Sequence, residues 1–131
     1  MNAGANKKKI LIVDDEEDIR LYLSTLLGDQ GYETVLAKDG EEAWKQVEGN
    51  SPDLITLDIS MPEKSGIKFY REMKADERWK KIPVIIVTGV SEDMRKFLSS
   101  RHQVPPPEGY LAKPINRDEI LALIHKLTAQ S

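Results

Sequence analysis

The chain has 131 residues and a formal net charge of −3, with 19 basic against 22 acidic side chains. This length suffices for one ordinary domain and leaves too little for a separate catalytic or DNA-binding module. The chain has no cysteine, which excludes thiol chemistry and disulfides, and the slight acidic excess argues against direct binding to nucleic acid.

The amino terminus contains basic residues but no apolar stretch of signal-peptide length. We therefore expect a cytoplasmic protein that does not bind membranes. Residues 1–7 are expected to be a disordered leader or an artificial extension, residues 8–128 a single domain, and residues 129–131 a short tail. The two histidines, His102 and His125, are too isolated in the sequence to predict a histidine metal site.

Short apolar runs alternate with longer amphipathic segments along the chain. Five runs are predicted strands, at residues 10–13, 34–37, 54–57, 84–87 and 110–112. Three of them are almost entirely aliphatic, which is typical of parallel strands covered by helices on both faces. The alternation predicts an α/β fold in which helices flank a five-stranded parallel sheet.

Apolar residues spaced three and four positions apart predict the helices between these strands. The first, second, third and fifth helices are indicated by Ile19, Leu23, Leu26 and Leu27; by Ala43 and Val47; by Ile67, Tyr70 and Met73; and by Ile120, Leu123, Ile124 and Leu127. A fourth helix within residues 92–100 is the least strongly indicated, because only Met94, Phe97 and Leu98 support it.

Polar residues stand at the ends of the predicted strands. Asp14 and Asp15 follow the first strand, Asp58 and Thr88 follow the third and fourth, and Lys113 follows the fifth. Ligands of open parallel sheets bind beyond the carboxyl ends of the strands. These residues therefore predict a site with three carboxylates, a hydroxyl and an ammonium at one edge.

Each of these residues also has a purely structural explanation. Asp14 or Asp15 could cap the first helix, Asp58 could form a turn, Thr88 could be an ordinary strand residue, and Lys113 could be a solvated loop charge. Capping and turn formation do not explain why different strands deliver complementary groups to one edge. The convergence favours a functional site.

Carboxylates that share a crevice repel one another unless a cation neutralises them. Mg²⁺ prefers oxygen ligands and is commonly held by one or two carboxylates together with a phosphate oxygen. A carboxylate beside it can attack phosphorus and form an acyl phosphate. We expect Asp58 to be the nucleophile, Asp14 and Asp15 to hold Mg²⁺, and Lys113 and Thr88 to contact the phosphoryl group.

Five segments together resemble the receiver domain of two-component response regulators. They are ILIVDD at residues 10–15, PDLITLDISMP at 52–62, Gly66, VIIVTG at 84–89, and YLAKP at 110–114. The match extends over about residues 8–128 in the family's order. The resemblance implies a doubly wound, flavodoxin-like sheet with strand order 2-1-3-4-5. It also implies that Asp58 accepts phosphate from a sensor histidine kinase or a phosphotransfer protein.

The resemblance assigns further roles around the phosphoacceptor. Asp15 would bind Mg²⁺ directly, Asp14 would bind it through water, and the main-chain carbonyl of Ser60 would be another ligand. Lys113 would contact the phosphoryl group, and Pro114 would follow a cis peptide bond.

The resemblance also identifies a switch pair, Thr88 and Tyr110. Phosphorylation would draw the threonine hydroxyl inward and the tyrosine ring after it, changing the surface near the fourth helix, fifth strand and fifth helix. From the sequence alone, Tyr110 could equally be a strand aromatic of the core. Gly89 would leave the phosphoryl site open.

Three departures from the family pattern affect these expectations, and Gly89 after the switch threonine is one of them. The segment VPPPEG at residues 104–109, with Pro105, Pro106 and Pro107, stands where the family usually has a short glycine and alanine loop, and we interpret it as a tolerated insertion in preference to a proline-recognition site. Ser60 and Val90 occupy the positions that tune hydrolysis in the family. Because neither is well suited to orient water, we expect slow loss of the phosphoryl group.

The leading hypothesis is a stand-alone receiver that signals to a downstream protein target, with a second copy of the chain as a further candidate partner. Only weak Mg²⁺-dependent self-phosphorylation and self-dephosphorylation are expected, without dedicated substrate turnover. The alternative is a pseudo-receiver, an interaction module that takes no phosphate. A magnesium-dependent phosphatase would require a second acid two residues after Asp58, where the chain has Ser60.

Overall fold

A computed structural model of the protein describes residues 7–62, 65–89, 97 and 105–129. The strands in these residues are β1 (Lys9–Val13), β2 (Glu33–Ala37), β3 (Leu54–Asp58), β4 (Val84–Thr88) and β5 (Gly109–Ala112). The helices are α1 (Glu17–Asp29), α2 (Gly40–Asn50), α3 (Ser65–Lys74) and α4 (Arg117–Thr128). Helix α4 is the predicted fifth helix, and the predicted fourth lies outside the described residues except for Phe97. Over the described residues, no helix is both long and apolar enough to cross a membrane.

The five strands form one parallel sheet in the order β2-β1-β3-β4-β5. Every predicted strand is present, with ends within one residue of the expected positions. The strands β3 and β4 are buried along their whole length, because helices cover both faces of the sheet. The structure thus confirms the flavodoxin-like fold.

Two apolar cores lie on opposite faces of the sheet. In the α2/α3 layer, Leu11, Val13, Ile55 and Leu57 of β1 and β3 pack with helix residues that include Ala43, Val47, Phe69 and Met73. In the α1/α4 layer, Ile10, Ile12 and Leu54 of the same strands pack with helix residues that include Leu23, Leu27, Ile120 and Ile124. The alternation of side chains along each strand distributes the aliphatic residues between the two layers.

The start of α3 lies directly against the end of β3. A Cβ atom added to Gly66 would be 2.4 Å from the main-chain oxygen of Asp58 and 3.3 Å from the Cα of Ile59. Such an approach leaves no room for any side chain at position 66. Glycine at this position therefore lets α3 pack on the backbone that holds Asp58.

A polar cluster around Lys74, which we term the Lys74 anchor, lies at the amino end of β4. The side chain of Lys74 is 1% exposed, and its Nζ donates hydrogen bonds to the carbonyl oxygens of Lys80 and Ile82 and to the carboxylate of Glu108. Glu108 Oε1 also accepts from the N–H of Val84 at 2.8 Å. The anchor thus connects the end of α3 to the starts of β4 and β5.

The three prolines lie beside this anchor. Pro105 and Pro106 are exposed, whereas Pro107 is buried. The hydroxyl of Tyr70 donates a hydrogen bond to the carbonyl oxygen of Pro105, and the Tyr70 ring packs edge-to-face against Phe97 with centroids 5.2 Å apart. The hydrogen bond from Tyr70 therefore connects the proline segment to α3.

Candidate functional site

The predicted site residues meet at the carboxyl edge of the sheet. Asp14 directly follows β1, Asp58 and Thr88 end β3 and β4, and Lys113 directly follows β5. The strand pairing continues at this edge, because the N–H of Lys113 donates to the carbonyl oxygen of Thr88 at 3.0 Å. Parallel pairing thus places residues that are distant in sequence beside one another.

Four carboxylates form an acidic cluster, which consists of Asp14, Asp15, Glu16 and Asp58. One oxygen of each lies within 4.8 Å of the others. Asp14 and Asp58 are buried, whereas Asp15 and Glu16 are exposed. Sequence reasoning predicted three members and missed Glu16, although the unbroken run of acids after β1 was the available signal.

Lys113 lies among these carboxylates. Its Nζ is 2.9 Å from Glu16 Oε2, 3.0 Å from Asp14 Oδ2 and 3.4 Å from Asp58 Oδ2. The ammonium therefore places a positive charge directly beside three of the four carboxylates. Lys113 is not the solvated loop charge of the structural alternative.

The two oxygens of Asp58 have different surroundings. Oδ1 accepts hydrogen bonds from the main-chain N–H of Ser60 at 2.8 Å and from its hydroxyl at 2.6 Å, whereas Oδ2 faces Lys113. The bond from the N–H of Ser60 is the turn that the structural alternative expected after β3. The same turn fixes the orientation of the Asp58 carboxylate toward the cluster.

Burial and the neighbouring charges change the acidity of the site. Burial raises the pKa of Asp14, and this effect outweighs the opposing hydrogen bonds from the N–H of Glu16 and from Lys113. Burial disfavours the ammonium of Lys113, yet its hydrogen bonds to Glu16 and Asp14 and the charge of Asp58 raise its pKa overall. The pocket thus holds a buried carboxylate, whose ionised form burial disfavours, beside a lysine whose protonated form is favoured.

The capping explanation for the first acids does not hold. The residue that caps α1 is Glu16, whose side chain makes no capping hydrogen bond. Asp14 instead accepts from the N–H of Glu16 through Oδ1 at 2.9 Å, which leaves Oδ2 to Lys113. Asp14 and Asp15 are therefore not explained by the need to start α1.

The remaining predicted residues flank the cluster. Thr88 is buried, and Gly89 is exposed at a point where an added Cβ would be 3.6 Å from the Cβ of Lys113. The Lys113–Pro114 peptide bond is cis. Tyr110 is 37% exposed, so the interpretation of this ring as part of the core is wrong. Val90 lies outside the described residues.

The donor set suits a hard divalent cation. Asp14, Asp15 and Asp58 offer carboxylate oxygens, and Ser60 lies next to them in the turn after β3. Mg²⁺ prefers oxygen ligands and tolerates a site that leaves several positions to water. Burial disfavours the ionised form of Asp14 and raises its pKa, and a cation bound beside this carboxylate would favour the ionised form.

The model of the response regulator receiver domain family matches residues 10–125. The chain belongs to this receiver domain family. It is 34% identical over 124 residues to the alkaline phosphatase synthesis transcriptional regulatory protein PhoP of Bacillus subtilis. That match covers 95% of the chain and 50% of the regulator, so the receiver spans about half the length of this relative.

Solved receiver structures share the fold along nearly the whole chain. The receiver domain of sensor histidine kinase PA1611 from Pseudomonas aeruginosa has a TM-score of 0.82 at 26% identity, and the match covers 95% of this chain and 99% of that one. That structure has a magnesium ion coordinated in its active-site cleft. Chemotaxis protein CheY4 of Vibrio cholerae has a TM-score of 0.79 at 29% identity, covering 92% and 98% of the two chains.

Proposed function

We propose that Asp58 is the phosphoacceptor of this receiver and that its phosphorylation requires Mg²⁺. The observation that supports this most directly is the position of its carboxylate. It is buried at the end of β3, within the acidic cluster, with Lys113 Nζ 3.4 Å away. A buried carboxylate between a prospective cation site and an ammonium is well placed to attack phosphorus and to stabilise the product.

The donor is a phosphohistidine of a sensor histidine kinase or a phosphotransfer protein. A carboxylate oxygen of Asp58 forms the new O–P bond while the N–P bond to histidine breaks, and the departing imidazole keeps the electron pair and takes up a proton. Lys113 donates to the phosphoryl oxygens as the transferred group arrives. The product is an acyl phosphate on Asp58.

The residues that would hold Mg²⁺ are Asp15 directly, Asp14 through water, Asp58, and Ser60 through its main-chain carbonyl. When bound, the ion would neutralise negative charge on the carboxylates and on the phosphoryl oxygens. The turn that Ser60 makes with Asp58 supports this assignment, since it holds the carboxylate and the neighbouring backbone together.

The output is a change of surface around β5 and α4 and the predicted fourth helix. The hydroxyl of Thr88, buried beside the pocket, moves toward the phosphoryl group, and the ring of Tyr110 turns inward after it. The 37% exposure of Tyr110 supports this proposal, because a ring already packed in the core could not move inward. A downstream protein would recognise the changed surface.

Loss of the phosphoryl group should be slow. The hydroxyl of Ser60 is hydrogen-bonded to Asp58 Oδ1 at 2.6 Å, and a short side chain in that position cannot orient an attacking water as a longer amide or acid could. A lifetime of only seconds for the phosphorylated protein would contradict this proposal. So would an unchanged lifetime after Val90→Glu.

The decisive experiment is incubation with Mg²⁺ and a small acyl phosphate, followed by intact-mass measurement. We expect the wild type to gain one phosphoryl group and Asp58→Asn to gain none. Asp53→Asn is the matched control, because Asp53 lies before β3, at the opposite end of this strand, where it accepts from the N–H of Lys9. It should be phosphorylated like the wild type.

Other outcomes would identify the alternatives. No phosphoryl gain in the wild type, with acyl phosphate and with a phosphorylated histidine donor, would indicate a pseudo-receiver. The complete set of Asp14, Asp15, Asp58, Thr88 and Lys113 argues against that alternative. Rapid turnover of many phosphomonoesters would indicate a phosphatase.

A further inference from the structure

Lys113 makes its shortest contact with the most exposed of its three acidic partners. Glu16 Oε2 is 2.9 Å from Nζ, and its side chain is 60% exposed, whereas the side chains of Asp14 and Asp58 are almost completely buried. A pair with one exposed member would ordinarily be worth little for stability. Its position at the mouth of the pocket suggests a different role.

Within the part of the chain that the structure describes, Lys113 is the ion-pair partner of the Glu16 side chain, and helix capping does not explain the contact. Glu16 caps α1 by its backbone, and its side chain makes no capping bond. Its main-chain N–H donates to Asp14 Oδ1, and its carbonyl oxygen accepts from the N–H of Arg20. The backbone is thus fixed from both sides, while the carboxylate remains available to Lys113.

The ammonium must change partners when the pocket is used. An ammonium has three donors, and the three carboxylates can engage all of them. A divalent cation bound by Asp14 and Asp58 competes with Lys113 for these same carboxylates, because both are positive. Lys113 then needs a partner until an anionic phosphoryl group arrives, and Glu16 is the acid that remains.

We propose that Glu16 is a positioning residue that retains Lys113 at the mouth of the pocket while Mg²⁺ occupies the buried carboxylates. The proposal rests on the proposed function, since it assumes that Asp14 and Asp58 take part in the cation site. It predicts that Glu16 favours Mg²⁺ binding by way of Lys113. A carboxylate that acted only as a nearby negative charge would not depend on Lys113.

The test is a double-mutant cycle on the Mg²⁺ affinity, measured by titration calorimetry. We expect Glu16→Gln to weaken Mg²⁺ binding roughly two- to fivefold more than Glu17→Gln does. This fold-change corresponds to the interaction energy of an exposed ion pair. Glu17 is the matched control, because it is the next acid along the chain, is exposed, and lies outside the acidic cluster. In a Lys113→Met background, the two glutamine variants should have equal effects.

A second variant separates position from charge. Glu16→Asp keeps the charge but shortens the side chain, so it should weaken Mg²⁺ binding as Glu16→Gln does. Wild-type affinity in Glu16→Asp would overturn the proposal. So would a loss in Glu16→Gln that is the same with and without Lys113, since the carboxylate would then act only through its charge.

The same samples distinguish this proposal from the phosphoacceptor assignment. Intact mass after treatment with Mg²⁺ and acyl phosphate reports whether wild-type Asp58 is phosphorylated. If the wild type gains a phosphoryl group while Glu16 and Lys113 show no coupling, the positioning role alone is wrong. If the wild type gains none, the phosphoacceptor assignment is wrong, whatever the coupling.

Discussion

At the residue scale, Asp14 is a proposed Mg²⁺ ligand whose buried charge also opposes folding. It is a buried member of the acidic cluster, and burial raises its pKa above the usual value for an aspartate. The folded metal-free protein therefore binds this proton more tightly than the unfolded chain does. The stabilisation from Asp14 is complete at low pH and is lost as pH rises through the raised pKa. Where the pH is high enough to ionise Asp14 in the fold, its buried charge lowers the stability of the protein without Mg²⁺.

Asp14→Asn should consequently raise the Tm of the protein at neutral pH in the presence of a chelator. Asparagine can still accept the hydrogen bond from the N–H of Glu16 and has no buried charge. The gain should shrink as the solution is acidified, and thermal unfolding followed by circular dichroism across a pH series measures it. Asp18→Asn is the control, because Asp18 is exposed in the first turn of α1 and favours that helix end. A gain that persisted unchanged in acid would contradict this explanation.

At the scale of elements, the contact between α3 and β3 sets the position of Asp58. Gly66→Ala would place a Cβ 2.4 Å from the main-chain oxygen of Asp58, so α3 or the backbone at Asp58 must move. We expect a loss of about 1–3 kcal/mol in the free energy of unfolding, as for other overpacked sites, together with weaker Mg²⁺ binding. Urea unfolding and calorimetry measure the two effects.

The matched control for Gly66→Ala is Gly49→Ala. Gly49 is within α2, and an added Cβ would meet nothing within 4 Å. Alanine there should increase the free energy of unfolding by about 0.5–1 kcal/mol, since it favours the helix more than glycine does. Equal effects of the two substitutions would show that the close approach at Gly66 is unimportant.

The Lys74 anchor connects three elements through one buried ammonium. Lys74→Met should lower the free energy of unfolding by about 1–3 kcal/mol, because the carbonyl oxygens of Lys80 and Ile82 lose their charged donor. Glu108→Gln should cost less, about 1 kcal/mol, since Glu108 is 36% exposed and an amide oxygen can still accept from Val84. Chemical unfolding of the single and double variants measures these losses.

The two substitutions should not be additive. Once Lys74 is methionine, the carboxylate of Glu108 has no ammonium to pair with, so the added effect of Glu108→Gln should be near zero. Glu77→Gln is the control, because Glu77 pairs with Lys80 on the surface and should change stability by less than about 0.5 kcal/mol. Full additivity of the anchor variants would show that the ion pair contributes nothing.

At the scale of the whole molecule, a ligand that binds only the folded state stabilises it by mass action. Above its Kd, Mg²⁺ should therefore increase the free energy of unfolding with the logarithm of its concentration, by about 2.7 kcal/mol at one hundred times the Kd. The Tm should rise accordingly. Asp15→Asn should abolish most of this rise. Thermal scans with Mg²⁺, compared with scans in NaCl at equal ionic strength, measure this rise in Tm. An equal rise in Tm with both salts would contradict a specific Mg²⁺ site.

The fold was predictable because its signals are local. Short aliphatic runs and residues spaced three and four apart predicted each strand and each helix of the described residues. Because ligands of parallel sheets bind at the carboxyl ends of the strands, the positions of Asp14, Asp58 and Lys113 at strand ends are enough to predict that they lie together. Element order and strand ends thus suffice to locate the candidate site.

The contacts that the sequence did not predict depend on side-chain orientation and on residues that are far apart in the chain. Glu16 and Lys113 are 97 positions apart, and Lys74 and Glu108 are 34 apart, so no local pattern relates them. The orientation of Tyr110 likewise follows from packing around β5. Periodicity can place a residue on an element, but it cannot choose a rotamer or an ion-pair partner.

Both tryptophans of the chain belong to the same side of the sheet. Trp44 packs edge-to-face on Phe69 with centroids 5.5 Å apart, and Trp79 packs against the same α2/α3 layer. Intrinsic tryptophan emission therefore senses this half of the molecule, while the α1/α4 layer has no such reporter. Far-ultraviolet dichroism senses helices on both sides, so a difference between the two melting curves would reveal one half of the receiver loosening before the other.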